Sequence, residues 1–239
     1  MKTIRLFTLI FISSIVLQTS MVNAAESGNS KQTRAVSEFH GVSVSAGIDL
    51  YLAQKNVEEV VVEANDEDLR NLVTEVEGGI LKIYMKEKSW FKLNFNNDSR
   101  KVYVSFKTLD KIEASAGSDV NSQSILNLDK LDLDASSGSD IKLELNATEV
   151  SAESSSGSDI TLKGKGNSIQ ANASSGSDIN AAEFQTKKCI ASVSSGADVR
   201  VYATEQLDAN ASSGGDIGYY GNPAKKDINE SSGGDVHGR

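Results

Sequence analysis

The chain has 239 residues, a formal net charge of −9, one cysteine and one proline. A single cysteine excludes an internal disulfide framework, and 33 acidic against 24 basic residues leave no basic footprint of the kind nucleic-acid binding needs. Hydrophobic residues make up 38%, which suffices for one or two small cores.

In chain order, Lys2 and Arg5 precede an apolar run over residues 6–17, and Val22-Asn23-Ala24-Ala25 supplies a small-residue exit. Charge, apolar core and exit together predict a secretory signal peptide over residues 1–24, too short to anchor in a bilayer. No cysteine lies near the cut, which argues against a lipid anchor. Losing Lys2 and Arg5 leaves 22 basic against 33 acidic residues, a mature charge of −11. No later stretch approaches ~18 consecutive apolar residues, so no transmembrane segment is expected.

Residues 25–38 are polar and aperiodic and read as a disordered leader. Residues 39–109 read as a β-rich segment. Val42, Val44 and Leu52 flank a Gly47-Ile48-Asp49-Leu50 turn, an outlying coil of the type described below. A strand is expected over residues 58–63 and one or two helical turns over 66–73, where acidic residues precede Leu69, Leu72 and Val73. Gly78-Gly79 opens a strand over 80–85, and residues 100–106 form another. Between these two strands, Trp90, Phe91 and Phe95 sit at the tip of an expected hairpin.

Residues 110–239 are a repeat. Ser-Gly-Asp signatures centre on Gly117, Gly138, Gly157, Gly176, Gly196, Gly214 and Gly233, at spacings of 21, 19, 19, 20, 18 and 19. Apolar residues occupy every second position on both sides. Leu131, Val150, Ile169, Cys189 and Leu207 stand seven before the glycine; Ile141, Ile160, Ile179, Val199, Ile217 and Val236 stand three after it. Period-two patterning on both flanks of a tight turn means two half-buried strands per repeat, which bury their apolar faces only when repeats stack. The expected fold is all-β: a right-handed parallel β-helix-like solenoid of ~19-residue coils with an N-terminal β-rich segment. A left-handed helix would require six-residue sub-repeats, and the variable spacing contains none. Cys189 falls in a slot filled elsewhere by Leu, Val and Ile, so it reads as core filler.

The run Phe39-His40-Gly41-Val42-Ser43-Val44-Ser45-Ala46-Gly47-Ile48-Asp49-Leu50-Tyr51-Leu52, the strand Gly78-Gly79-Ile80-Leu81-Lys82-Ile83 and the Ser-Gly-Ser-Asp turns together resemble the "putative auto-transporter adhesin, head GIN domain" family. The resemblance runs from about Phe39 to Val236. It implies a β-helical architecture and a secreted or envelope protein of Bacteroides-type Gram-negative bacteria. It implies adhesion as the role and brings no catalytic or ligand residue to carry over.

Two constellations stand out. Asp119, Asp140, Asp159, Asp178, Asp198, Asp216 and Asp235 would form a column repeating every ~4.8 Å, where like charges cost about 0.9 kcal/mol per pair even in water. Either each Asp accepts hydrogen bonds within its own turn, or a cation such as calcium bridges coils; the calcium-roll motif, with its nine-residue period, is absent. Trp90, Phe91 and Phe95 are either a satellite core or an aromatic contact patch. His40 and His237 lie at opposite ends of the repeat order, and no triad, metal-ligand cluster or phosphate loop is present in sequence. The expectation is a non-catalytic binding or adhesion module without a cofactor. It would be exported to the periplasm, outer surface or medium, and bind a glycan, a protein or another copy of itself. A stress-associated structural protein of the periplasm and a carbohydrate-active β-helix enzyme are the alternatives.

Overall fold

The computed structural model describes residues 29–86 and 99–239. The expected signal peptide and the Trp90, Phe91 and Phe95 tip therefore lie outside the described residues.

The first part contains β1 (Ser30–Arg34), β2 (Gly41–Val44), β3 (Asp49–Gln54), β4 (Glu59–Ala64), α1 (Asp66–Asn71), β5 (Leu72–Glu77), β6 (Ile80–Met85) and β7 (Lys101–Phe106). The repeats supply β8 (Lys111–Ala114), β9 (Asp119–Ser122), β10 (Leu126–Ser136), β11 (Asp140–Ser155), β12 (Asp159–Ser174), β13 (Asp178–Val193) and β14 (Asp198–Ala211). They end with β15 (Asp216–Tyr220), β16 (Lys225–Glu230) and β17 (Asp235–Gly238). All of these strands join one continuous sheet.

The long strands bend around a corner. In β11, burial alternates up to Ala147, breaks at exposed Thr148 and Glu149, and resumes at Val150. Each coil therefore has a strand before the Ser-Gly turn and a strand after it, stacked in parallel on the coils above and below. Ile141, Ile160, Ile179, Val199 and Ile217 form one buried column in register, and Leu131, Val150, Ile169, Cys189 and Leu207 form its counterpart. Cys189 is core, and burial pushes its thiol pKa up to about 12. The 20- and 18-residue coils keep their faces in register because the shifts are confined to the stretch from Asn180 to Lys188, where β13 slips against β12 between Thr161 and Lys163 and against β14.

Stacking order departs from chain order at the N-terminal end. The β2–β3 coil pairs with β8 and β9 on one side and with β6 and β7 on the other. It is thus embedded in the stack, not outlying. Antiparallel strands close that end: β5 covers β6, β4 covers β7, and β1 covers β4. The expected disordered leader is corrected here, since residues 30–34 are strand β1. The open edge of β4 supplies the backbone partners that composition cannot reveal, aided by Lys31–Glu63 at 3.2 Å and an Arg34 guanidinium bond to the Leu69 carbonyl at 2.7 Å. The helix is shorter than expected. Asn65 caps it by accepting from the Asp68 N–H at 2.8 Å, and Leu72 and Val73 already belong to β5.

Candidate ligand-binding surface

The surface is set by the turn. Each one contains two consecutive residues at positive φ, as in Ser156 (57°) and Gly157 (69°). That pair is the signature of a type I′ turn, which suits the glycine at its second position. A Cβ on Gly157 would meet nothing within 4 Å, so glycine is demanded there by backbone conformation alone.

Serine, not aspartate, satisfies the turn. The fully buried Ser158 hydroxyl lies 2.7 Å from the Ala135 carbonyl and 2.8 Å from the Ser155 carbonyl, with one proton to give between them, and accepts from the Ser155 N–H at 3.1 Å. Ser139 and Ser177 occupy the same place one coil before and after, bonded to the Ala114 and Ser154 carbonyls. Where Ala197, Gly215 and Gly234 replace the serine, the backbone N–H closes the turn onto Ser194, Ser212 and Ser231 at 3.3, 3.0 and 2.9 Å.

The aspartates are thereby left on the outer surface. Asp49, Asp119, Asp140, Asp159, Asp178, Asp198, Asp216 and Asp235 pair coil to coil in one unbroken register. The sequence-expected column is real and one member longer. Lys142 bonds Asp140 at 2.8 Å, Arg200 lies 3.9 Å from Asp198, and His237 lies 3.0 Å from Asp235. Partial burial and the carboxylates of Asp140 and Asp49 push Asp119 above the usual range; burial, Asp198 and Asp159 do the same to Asp178. No group of three or more His, Cys, Asp or Glu side chains placed to hold a metal ion exists among the described residues.

On the face before the turn, the outward residues four before each glycine form a second column: Glu113, Asp134, Glu153, Asn172, Ser192, Asn210 and Asn229. From Asp134 onward it lines an open groove of about 530 Å³ together with the serines Ser155, Ser174 and Ser212 two residues further along each strand. Asn229 donates to the Asn210 side-chain amide oxygen one coil away at 3.1 Å, and Asn210 in turn donates to Asp208 at 2.9 Å. The acidic end is charged against itself: partial burial, Glu113 and Glu153 raise the Asp134 pKa. Sequence reading missed this column, although the constant offset from the glycine could have found it. Tyr51 and Tyr103 were also missed. Their rings stack at 5.1 Å with Lys31 over Tyr103, a contact between residues 52 apart in sequence.

The model of the "putative auto-transporter adhesin, head GIN domain" family matches residues 38–223. The chain belongs to this family. Crystal structures share the fold of this head GIN domain protein. One, named a putative adhesin from Bacteroides fragilis, has 20% identity and a TM-score of 0.81, covering 88% of this chain and 97% of that one. A putative adhesin from Parabacteroides merdae has 14% identity and a TM-score of 0.68, covering 90% and 97%. A protein from Parabacteroides distasonis named a putative lipid binding protein has 22% identity and a TM-score of 0.67, covering 89% and 98%. At these identities the likeness is one of fold. No curated protein matches the chain. Among the described residues no helix is long and apolar enough to cross a membrane.

Proposed function

We propose that this head GIN domain protein is an exported, non-catalytic adhesion module of a bacterial envelope that binds an extended glycan strand along the groove beside its Ser-Gly turns. The observation that carries this reading is the groove's outward column, in which Asp134, Glu153, Asn172, Ser192, Asn210 and Asn229 present one small polar side chain per coil. A coil rise of ~4.8 Å is close to the length of one pyranose unit, so successive sugars meet successive carboxylates, amides and hydroxyls. The amides and the serine hydroxyl donate to and accept from sugar hydroxyls, and the two carboxylates accept from them. Membership of a family named for adhesion supports the same reading, as does an architecture shared with proteins named putative adhesins. The Trp90, Phe91 and Phe95 tip is the competing contact surface.

Glycan-array binding followed by calorimetry tests the proposal. The double substitution Asn172→Ala, Asn210→Ala should weaken binding about tenfold or more while leaving the melting temperature nearly unchanged, since each lost pair of hydrogen bonds is worth ~1 kcal/mol or more. Unaltered affinity in that variant, with affinity lost in Trp90→Ala, would move the contact surface to the aromatic tip. Absence of binding to any glycan would reject the ligand class.

A further inference from the structure

The last coil breaks the rule of the others at its inward positions. The column Leu131, Val150, Ile169, Cys189, Leu207 continues in register to Lys226, and the column Ala135, Ser154, Ala173, Val193, Ala211 continues to Glu230. Between them, Ile228 follows Ala209 and remains 38% exposed. Two charges therefore stand where each of the five preceding coils, from Leu131 and Ala135 to Leu207 and Ala211, places an apolar or small residue.

Both fold over the open end. The Lys226 ammonium lies 5.1 Å from the Tyr219 ring centroid and 3.3 Å from its hydroxyl, covering the inward ring of the preceding coil. Asp235 and Arg239 donate their N–H groups back to Gly215 and Tyr219. The alternate N–H of Val236 accordingly points away from the stack, where a further strand's carbonyl would bind it. The Glu230 carboxylate takes that place at 2.8 Å. Another coil, from this chain or a second copy, would have to bury both charges and displace that bond.

We propose that Lys226 and Glu230 form a charged plug that ends the stack and keeps the open edge of β16 and β17 from pairing with a second copy of the chain. A solenoid edge is otherwise a template for strand addition, and inward-pointing charge is an effective way to blunt it. At the opposite end the parallel coils give way to the antiparallel strands β5, β4 and β1, so that end presents no parallel coil to a second copy. With the β16–β17 end closed, contacts with ligands or surfaces fall to the flanks of the stack.

The test restores the columns. Lys226→Leu with Glu230→Ala repeats the residues of the coil before, and Lys226→Met alone is the milder change should the double variant fail to fold. Sedimentation velocity should show the parent as one monomeric species at all concentrations. The double variant should associate as concentration rises, with a maximum dimension in small-angle scattering that about doubles at unchanged cross-section. Lys226→Met should associate more weakly. A matched flank variant, Lys187→Leu with Glu205→Ala, removes an exposed Lys–Glu pair 3.9 Å apart and should stay monomeric. Monomeric behaviour of both plug variants would overturn the proposal, as would equal association of the flank variant or end-to-end association of the parent.

Discussion

At the residue scale, the division of labour between neighbouring serine and aspartate explains the turn. Ser158 is dry and bonded on both sides, whereas Asp159 is exposed. Ser158→Ala should destabilise by about 1 kcal/mol, at the low end for a buried hydroxyl because the backbone closure seen at Ala197 is available to it. Asp159→Asn should change stability by less than about 0.5 kcal/mol; chemical denaturation of both variants checks the contrast. Asp119 and Asp178 give a signed pH effect. Their folded pKa values lie above the ordinary 3.8, so in the window just above 3.8 the folded state holds more protons than the unfolded one. Their contribution to stability therefore falls as pH rises through that window. The difference between melting temperatures at about pH 4.5 and pH 7 should shift toward the acid side in the parent relative to the Asp119→Asn, Asp178→Asn variant. At pH 7 the variant should melt no lower than the parent.

At the element scale, adjoining coils fit through paired small and large residues at the corner. Phe184 is fully buried, and a Cβ on Gly166 one coil earlier would lie 2.8 Å from its ring and 2.9 Å from the Ala147 carbonyl. Gly164 is more constrained still: at φ +117° a Cβ would stand 2.0 Å from the Leu145 carbonyl oxygen. Backbone cannot yield there without breaking the ladder between β11 and β12. Gly164→Ala should therefore cost more than the ~1–3 kcal/mol of ordinary overpacking, measured as a fall in denaturation midpoint, whereas Gly157→Ala should cost only the strain of its positive φ. The same elements show why strand β1 escaped the sequence reading. Ser30–Arg34 has no apolar pattern of its own, and its order comes from the edge of β4.

At the scale of the whole molecule, eight aspartates in unbroken register give one edge of the stack a strong negative field. Screening should relieve it, so the melting temperature should rise with ionic strength. We expect calcium chloride and sodium chloride at matched ionic strength to give equal shifts; an additional shift with calcium would reveal bound ions bridging coils.

The sequence by itself determined the parts of this protein that depend on local repetition. The period of the glycines and the apolar columns specified parallel stacked coils with Cys189 directed inward, because only one side of each strand can be buried. The Asp column was legible for the same reason. Tertiary structure alone decided what depends on which strands meet: the insertion of the β6–β7 coil beyond β2 and β3, the Tyr51–Tyr103 stack, the groove and the plugged end. Lys226 and Glu230 look like ordinary surface charges until their registers with Leu207 and Ala211 are known. A charge reads as solvated or as inward-facing only once its neighbour across the ladder is fixed, and that neighbour is set by backbone pairing between distant segments.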